Sequence, residues 1–192
     1  MAAKPGERKL QILQTIAGML EQPKGEKITT AILAAKLDLS EAALYRHFAS
    51  KAQMFEGLIE FIEQTVFGLA NKITAEEASG LKQAESIVAM LLGFAQKNRG
   101  MTRVLIGDAL VNENERLQLR INQLLDRLEA TLKQSLRIAI TQNELPAEID
   151  PGAHANALLC YVIGRWQLFA KSGYARDPMA QWPQQAGLLL GR

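Results

Sequence analysis

The sequence predicts an all-α protein of about nine helices, with a three-helix N-terminal domain over residues 1–50 and a larger helical domain over 51–192. Three observations carry this. Apolar residues recur at spacings of three and four through most of the chain. No stretch of useful length alternates apolar and polar residues as a half-buried strand does. Three short helical segments also fit within the first fifty residues, the second and third joined by Leu37-Asp38-Leu39-Ser40, a connection of helix-turn-helix length.

The elements follow in order. Leu10, Leu13, Ile16, Ala17 and Leu20 mark the first helix, and Pro23-Lys24-Gly25 ends it. Thr29 or Thr30 caps a second helix that buries Leu33 and Leu37. Ser40 caps a third, with Leu44 and Phe48 inward. Ser50-Lys51-Ala52-Gln53 has capping-box form and opens a fourth, whose buried stripe is Phe55, Leu58, Ile59, Ile62, Val66 and Leu69. Further helices are expected over roughly 80–97, 101–111 and 113–142. The last two begin after Asp150-Pro151 and near Asp177-Pro178, where Asp caps and Pro suits the first turn.

Composition narrows the class. Apolar residues make up 48% of the chain, enough for a real core. The single cysteine, Cys160, excludes an internal disulfide and reads as a small buried residue of a reducing compartment. MAAKPGERKL has no signal-peptide character, and no apolar run is long enough to span a membrane, so a cytoplasmic protein is expected. The net charge of +2 is uneven: residues 1–51 carry eight Lys and Arg against five acidic residues, while the remainder carries fourteen against fifteen. A basic head on a neutral body fits contact with nucleic acid at one end.

The stretch SEAALYRHFASK gives that contact a form. In a helix-turn-helix the second helix of the motif enters the major groove with its N-terminal end first. Ala42 and Ala43 are small where that helix approaches base edges, and their methyl groups suit thymine methyls. Glu41 suits a cytosine amine, or simply the helix N-terminus. Tyr45 and His47 offer donors to phosphates, and Arg46 suits a phosphate or a guanine edge. Lys51 adds charge at the start of the next helix, where the helix dipole already favours an anion. Thr29 and Thr30 can donate to the backbone from the other side.

The residues ITTAILAAKLDLSEAALYRHFASKAQMF resemble the helix-turn-helix of TetR-type regulators, whose recognition helix ends in Tyr-x-x-Phe followed by a Lys opening the fourth helix; here these are Tyr45, Phe48 and Lys51. The family usually has Gly in the turn where Asp38 stands, and Asp enters the left-handed region more readily than most residues. Lys4, Arg8 and Lys9 form a sparsely charged N-terminal arm. SEAALYRHFASK, LIEFIEQ, LLGFAQKNRGMTRVLIGDAL and ERLQLRINQLLDRLEATLKQ further resemble the nucleoid occlusion members of that family. This resemblance implies a nucleoid-associated homodimer that binds a palindromic double-stranded DNA site, and it leaves higher assembly on DNA open. It also implies that the DNA-bound form antagonises assembly of the tubulin-like division protein FtsZ, blocking septum formation over the nucleoid.

Two more surfaces are expected. Phe61 lies about 120° from Phe55 around the fourth helix, outside the main stripe. Gly93 is costly inside a helix, which suits close approach of another chain. The resemblance implies that the FtsZ C-terminal tail binds between the fourth and fifth helices, at Phe61, Met90, Gly93, Lys97 and Asn98. Lys97 stands where the family has Arg, so charge is kept and bidentate pairing is not. Residues 154–171 are apolar on most of the helix circumference. The resemblance implies a dimer bundle here, through Leu158, Val162, Trp166 and Phe169, with Trp182 and Leu189 on the last helix.

No P-loop, HExxH or GxSxG occurs, and His47 and His154 are far apart, so neither an enzyme nor a metal site is expected, and no cofactor. The alternative is a ligand-responsive TetR-type repressor with a pocket lined by Met90, Phe94, Met101 and Trp166.

Overall fold

The computed structural model describes residues 5–22 and 28–191, with only the backbone of Pro5. Lys4 and the expected stop at Pro23-Lys24-Gly25 lie outside the described residues. Among these residues there are nine α-helices and no strand. They are α1 (Pro5–Leu20), α2 (Thr30–Lys36), α3 (Glu41–Tyr45), α4 (Lys51–Glu76), α5 (Gly80–Lys97), α6 (Arg99–Leu105), α7 (Glu115–Thr141), α8 (Pro151–Lys171) and α9 (Trp182–Leu190). A short 3-10 turn at Asp108–Leu110 follows α6. The helix expected over 101–111 is thus broken at Gly107, whose φ of +78° is left-handed. The last helix starts later than the Asp177-Pro178 signal suggests. Asp177 accepts from the Met179 N–H in a turn, and Pro183 occupies the first turn of α9.

The chain forms two compact units. The first unit comprises Met1–Ile62 with Asn98–Ile121, and the second Glu63–Lys97 with Asn122–Arg192. Residues 98–121 join the N-terminal helices because α6 packs along α1. Gly100 makes this close approach possible: a Cβ there would collide with the Ala17 carbonyl. Arg103 then caps the end of α1, donating to the carbonyls of Leu20 (3.3 Å) and Gln22 (3.2 Å), and its Nε pairs with Asp108 at 2.6 Å.

The α1 face buries Ile12, Ile16, Ala17 and Leu20, whereas Leu10 is exposed and Leu13 half-buried. Rows four residues apart, through Ile12, Ile16 and Leu20, set the face. Leu69, expected in the α4 stripe, is 43% exposed because the buried row continues Ile62, Val66, Ala70. Arg8 and Lys9 lie within the first turns of α1 rather than in an arm, with Lys9 Nζ 5.5 Å from the centre of the Phe48 ring.

In the second unit α7 buries a four-residue repeat, Leu124, Leu128, Leu132 and Leu136. Buried residues of α5 and α8 complete the core, and Trp166 donates its indole N–H to the Leu91 carbonyl at 3.0 Å. The N-terminus of α5 is satisfied from the end of α7: Gly80 N–H donates to Gln142 Oε1 (2.8 Å) and Leu81 N–H to Glu144 Oε2 (2.9 Å).

Candidate nucleic-acid interface

The turn between α2 and α3 is built by backbone chemistry. Asp38 takes φ +53°, the left-handed conformation expected of it. Its N–H donates to Ala35 O (3.2 Å) and the Leu39 N–H to Ala34 O (2.9 Å), closing α2 with a Schellman motif. Thr29 caps α2 by accepting from Ile32 N–H at 3.2 Å, and Ser40 caps α3 by accepting from Ala43 N–H at 3.2 Å. Ser50 accepts from Gln53 N–H at 3.1 Å, while Gln53 Oε1 reaches back to Ala49 N–H at 2.9 Å, a capping box displaced by one residue. Buried Leu33, Leu44 and Phe48 fix α2 and α3 from within.

This frame leaves Glu41, Ala42, Tyr45 and Arg46 exposed, with Ala43 and His47 half-buried beside them. Small residues thus lead α3 and donors end it. Two expected contacts have different partners here. Thr30 donates its hydroxyl to Glu41 Oε2 at 2.5 Å, so these two residues tie α2 to α3. Lys51 pairs with Glu113, and its ammonium lies 5.6 Å from the centre of the Phe55 ring. Sequence reasoning missed Glu113, which lies 62 positions away in the chain.

The other expected binding residues sit as follows. Phe61, on α4, is 38% exposed. Met90, Gly93 and Lys97 follow one face of α5, the first two half-buried and Lys97 exposed. A Cβ on Gly93 would meet no described atom within 4 Å, so packing inside the chain does not require this glycine. Asn98 is the N-cap residue of α6.

Residues 79–192 match the SlmA-like family of tetracyclin repressor-like C-terminal domains, and residues 25–58 match bacterial regulatory proteins of the tetR family. The chain belongs to the SlmA-like, TetR-type regulators. The nucleoid occlusion factor SlmA of Alteromonas mediterranea is 50% identical over 184 residues, covering 96% of this chain and 94% of that protein. The protein of the same name from Marinomonas sp. is 46% identical over 185 residues, covering 96% and 94%. Among solved structures, the fatty acid degradation regulator FadR from Bacillus halodurans superposes with a TM-score of 0.80 at 18% identity, covering 98% of this chain and 97% of that one. The TetR family regulator PfmR from Thermus thermophilus gives 0.78 at 23%, covering 94% and 97%. These two share the fold. As a TetR-type regulator the chain is a DNA-binding protein and not an enzyme.

The residues expected at the dimer are placed as follows. Leu158, Val162, Trp166, Phe169 and Trp182 are buried within the single SlmA-like chain. Leu189 is half-buried. The open face of α8 is instead Ala153, Ala157, Cys160, Gly164 and Leu168, an uncharged row of mostly small residues. Cys160 is therefore exposed, not buried, because the core row runs through Leu158, Leu159, Val162 and Trp166. On α9, Leu188 is 81% exposed. The two helices are joined by Tyr161, whose hydroxyl donates to Gln185 Oε1 at 2.8 Å, and by His154 Nε2, which donates to the Leu189 carbonyl at 2.6 Å. Burial raises the Tyr161 pKa against the opposing effect of Arg165.

A cleft of about 370 Å³ in the second unit is lined by Thr74, Gln83, Ala130, Thr131, Gln134, Ser135 and Ile138. Five of these seven residues carry a hydroxyl or amide, although most of the lining surface is apolar, and the cleft does not include Met90, Phe94 or Trp166, of which Phe94 and Trp166 are buried. Among the described residues no group of three or more His, Cys, Asp or Glu could hold a metal, and no helix is long and apolar enough to cross a membrane.

Proposed function

We propose that the chain is a nucleoid occlusion factor: a cytoplasmic, nucleoid-associated homodimer that binds a palindromic DNA site and, once bound, antagonises FtsZ assembly so that no septum forms over the DNA. The observation that carries this is near-full-length similarity to proteins of that name, 50% and 46% identical, in a chain whose recognition helix presents Ala42, Tyr45 and Arg46 outward. Tyr45, Arg46, His47 and Lys51 bind phosphates, while Ala42 and Ala43 allow α3 close to the base edges. Thr29 and Thr30 approach the backbone beside them, and Glu41 orients Thr30.

Dimerisation uses the open face of α8, an uncharged row of mostly small side chains, together with the exposed Leu188 of α9. Two recognition helices are needed to read the two halves of a palindrome. The FtsZ tail is bound by Phe61, Met90, Gly93, Lys97 and Asn98. Gly93 leaves room for a peptide backbone, and Lys97 attracts acidic residues.

The test is sedimentation of FtsZ filaments with this protein, with and without a palindromic duplex that the protein itself selects from random sequence. Filaments should be lost only when protein and DNA are both present, and Lys97→Glu should restore them while DNA affinity is unchanged. Unaffected filaments alongside tight DNA binding would sink the division role and favour an ordinary repressor.

A further inference from the structure

Lys51 stands where a backbone phosphate would be held, yet its charge is already matched. Its ammonium donates to Glu113, with the two side chains only 22% and 13% exposed. An ion pair this withdrawn from water is screened less than a surface pair. To a distant phosphate it is close to neutral, so Lys51 adds little attraction while it is paired.

The position of Glu113 is not accidental to one rotamer. Its N–H donates to the Leu110 carbonyl at 2.9 Å, fixing the segment between the 3-10 turn and α7. Just beyond it, Arg116 Nε pairs with Glu56 at 2.7 Å, and Arg120 donates to the Glu56 carbonyl at 3.3 Å. Three polar contacts therefore fasten the start of α7 to the first two turns of α4, all inside the first compact unit. Glu113 is held beside Lys51 by its surroundings as well as by the ammonium.

We propose that Glu113 is a built-in competitor of DNA that sets the affinity of the interface: a phosphate can engage Lys51 fully only by displacing this carboxylate. The inference rests on the reading of Lys51 as a phosphate contact. Binding exchanges one anion for another on the same ammonium, and it leaves Glu113 near the duplex with its partner lost. Each such exchange opposes binding. The carboxylate thereby holds affinity below what the cations alone would give.

The test is fluorescence anisotropy on the selected duplex across a series of salt concentrations, using wild type, Glu113→Gln, Lys51→Ala and the double variant. Glu113→Gln should tighten binding by about three- to tenfold, the range expected when a part-buried competing charge is removed. Lys51→Ala should weaken binding and flatten the salt dependence. In the Lys51→Ala background, Glu113→Gln should change affinity less than about twofold, since no ammonium remains to compete for. Glu115→Gln, an exposed acid nearby, measures the general effect of removing one negative charge and should give the smaller gain.

Equal gains from Glu113→Gln and Glu115→Gln would overturn the proposal in favour of a diffuse field. Weaker binding by Glu113→Gln would overturn it too, making Glu113 an orienting group for Lys51. If Lys51→Ala leaves affinity and salt slope unchanged, the phosphate reading of Lys51 itself fails, and the proposal with it. Thermal melting checks that each variant folds, and Glu113→Ala gives the same readout should the Gln variant not.

Discussion

Gly100 and Gly80 are two places where one methyl group has no room. A Cβ on Gly100 would collide with the Ala17 carbonyl, and one on Gly80 with the backbone of α7 near Ala139. Neither neighbour is a flexible side-chain end that can move aside. Gly100→Ala should therefore cost about 1–3 kcal/mol and lower Tm by roughly 2–12 °C, measured by calorimetry. Gly18→Ala, where a Cβ meets no described atom within 4 Å, should leave Tm unchanged or raise it. At this scale the sequence was legible where chemistry is local. Thr29, Ser40, Ser50 and Asp150 cap the helices they were expected to cap, because a hydroxyl or carboxylate needs only the next few N–H groups. Asp38 was legible for the same reason. The pairs Thr30–Glu41 and Lys51–Glu113 were not, since each joins residues brought together only by folding.

Among the elements, α8 shows where periodicity fails. Its apolar residues cover most of the circumference, so spacing alone cannot say which face meets the chain's own core. The structure divides them: Leu158, Val162, Trp166 and Phe169 go inward, while Ala157, Cys160, Gly164 and Leu168 stay open. The two faces should respond differently to mutation. Trp166→Ala removes a fully buried indole and its hydrogen bond to Leu91, and should cost about 3–5 kcal/mol in a melting experiment. Leu168→Glu, at a position 44% exposed in the single chain, should leave the subunit's fold intact and shift sedimentation equilibrium from dimer to monomer. A Leu168→Glu variant that remained dimeric would remove this face from the interface. The register of α4 was read well through Val66 and missed at Leu69, where the buried row moves to Ala70. A stripe drawn from sequence does not reveal where the partner surface of a long helix changes.

For the whole molecule, the helical class and the helix-turn-helix were legible because both are written in short-range spacing and turn length. The unit boundaries were not. Two fall inside helices, between Ile62 and Glu63 of α4 and between Ile121 and Asn122 of α7, where no change of composition marks them, and the third lies between Lys97 and Asn98, at the junction of α5 and α6. A fragment of residues 1–62 would keep every expected DNA-contacting side chain, yet it would lack α6, which packs on α1 through Gly100 and Arg103. Such a fragment should show no cooperative thermal transition by circular dichroism, while the full chain melts cooperatively. This interleaving bears on how DNA specificity can be inherited. A single recombination event that exchanged only the first fifty codons would separate α1 from α6, and Lys51 from the surroundings that hold Glu113 beside it. The reading head is encoded as two stretches of gene with foreign sequence between them, and new specificities will arise more readily by point changes in α3 than by shuffling.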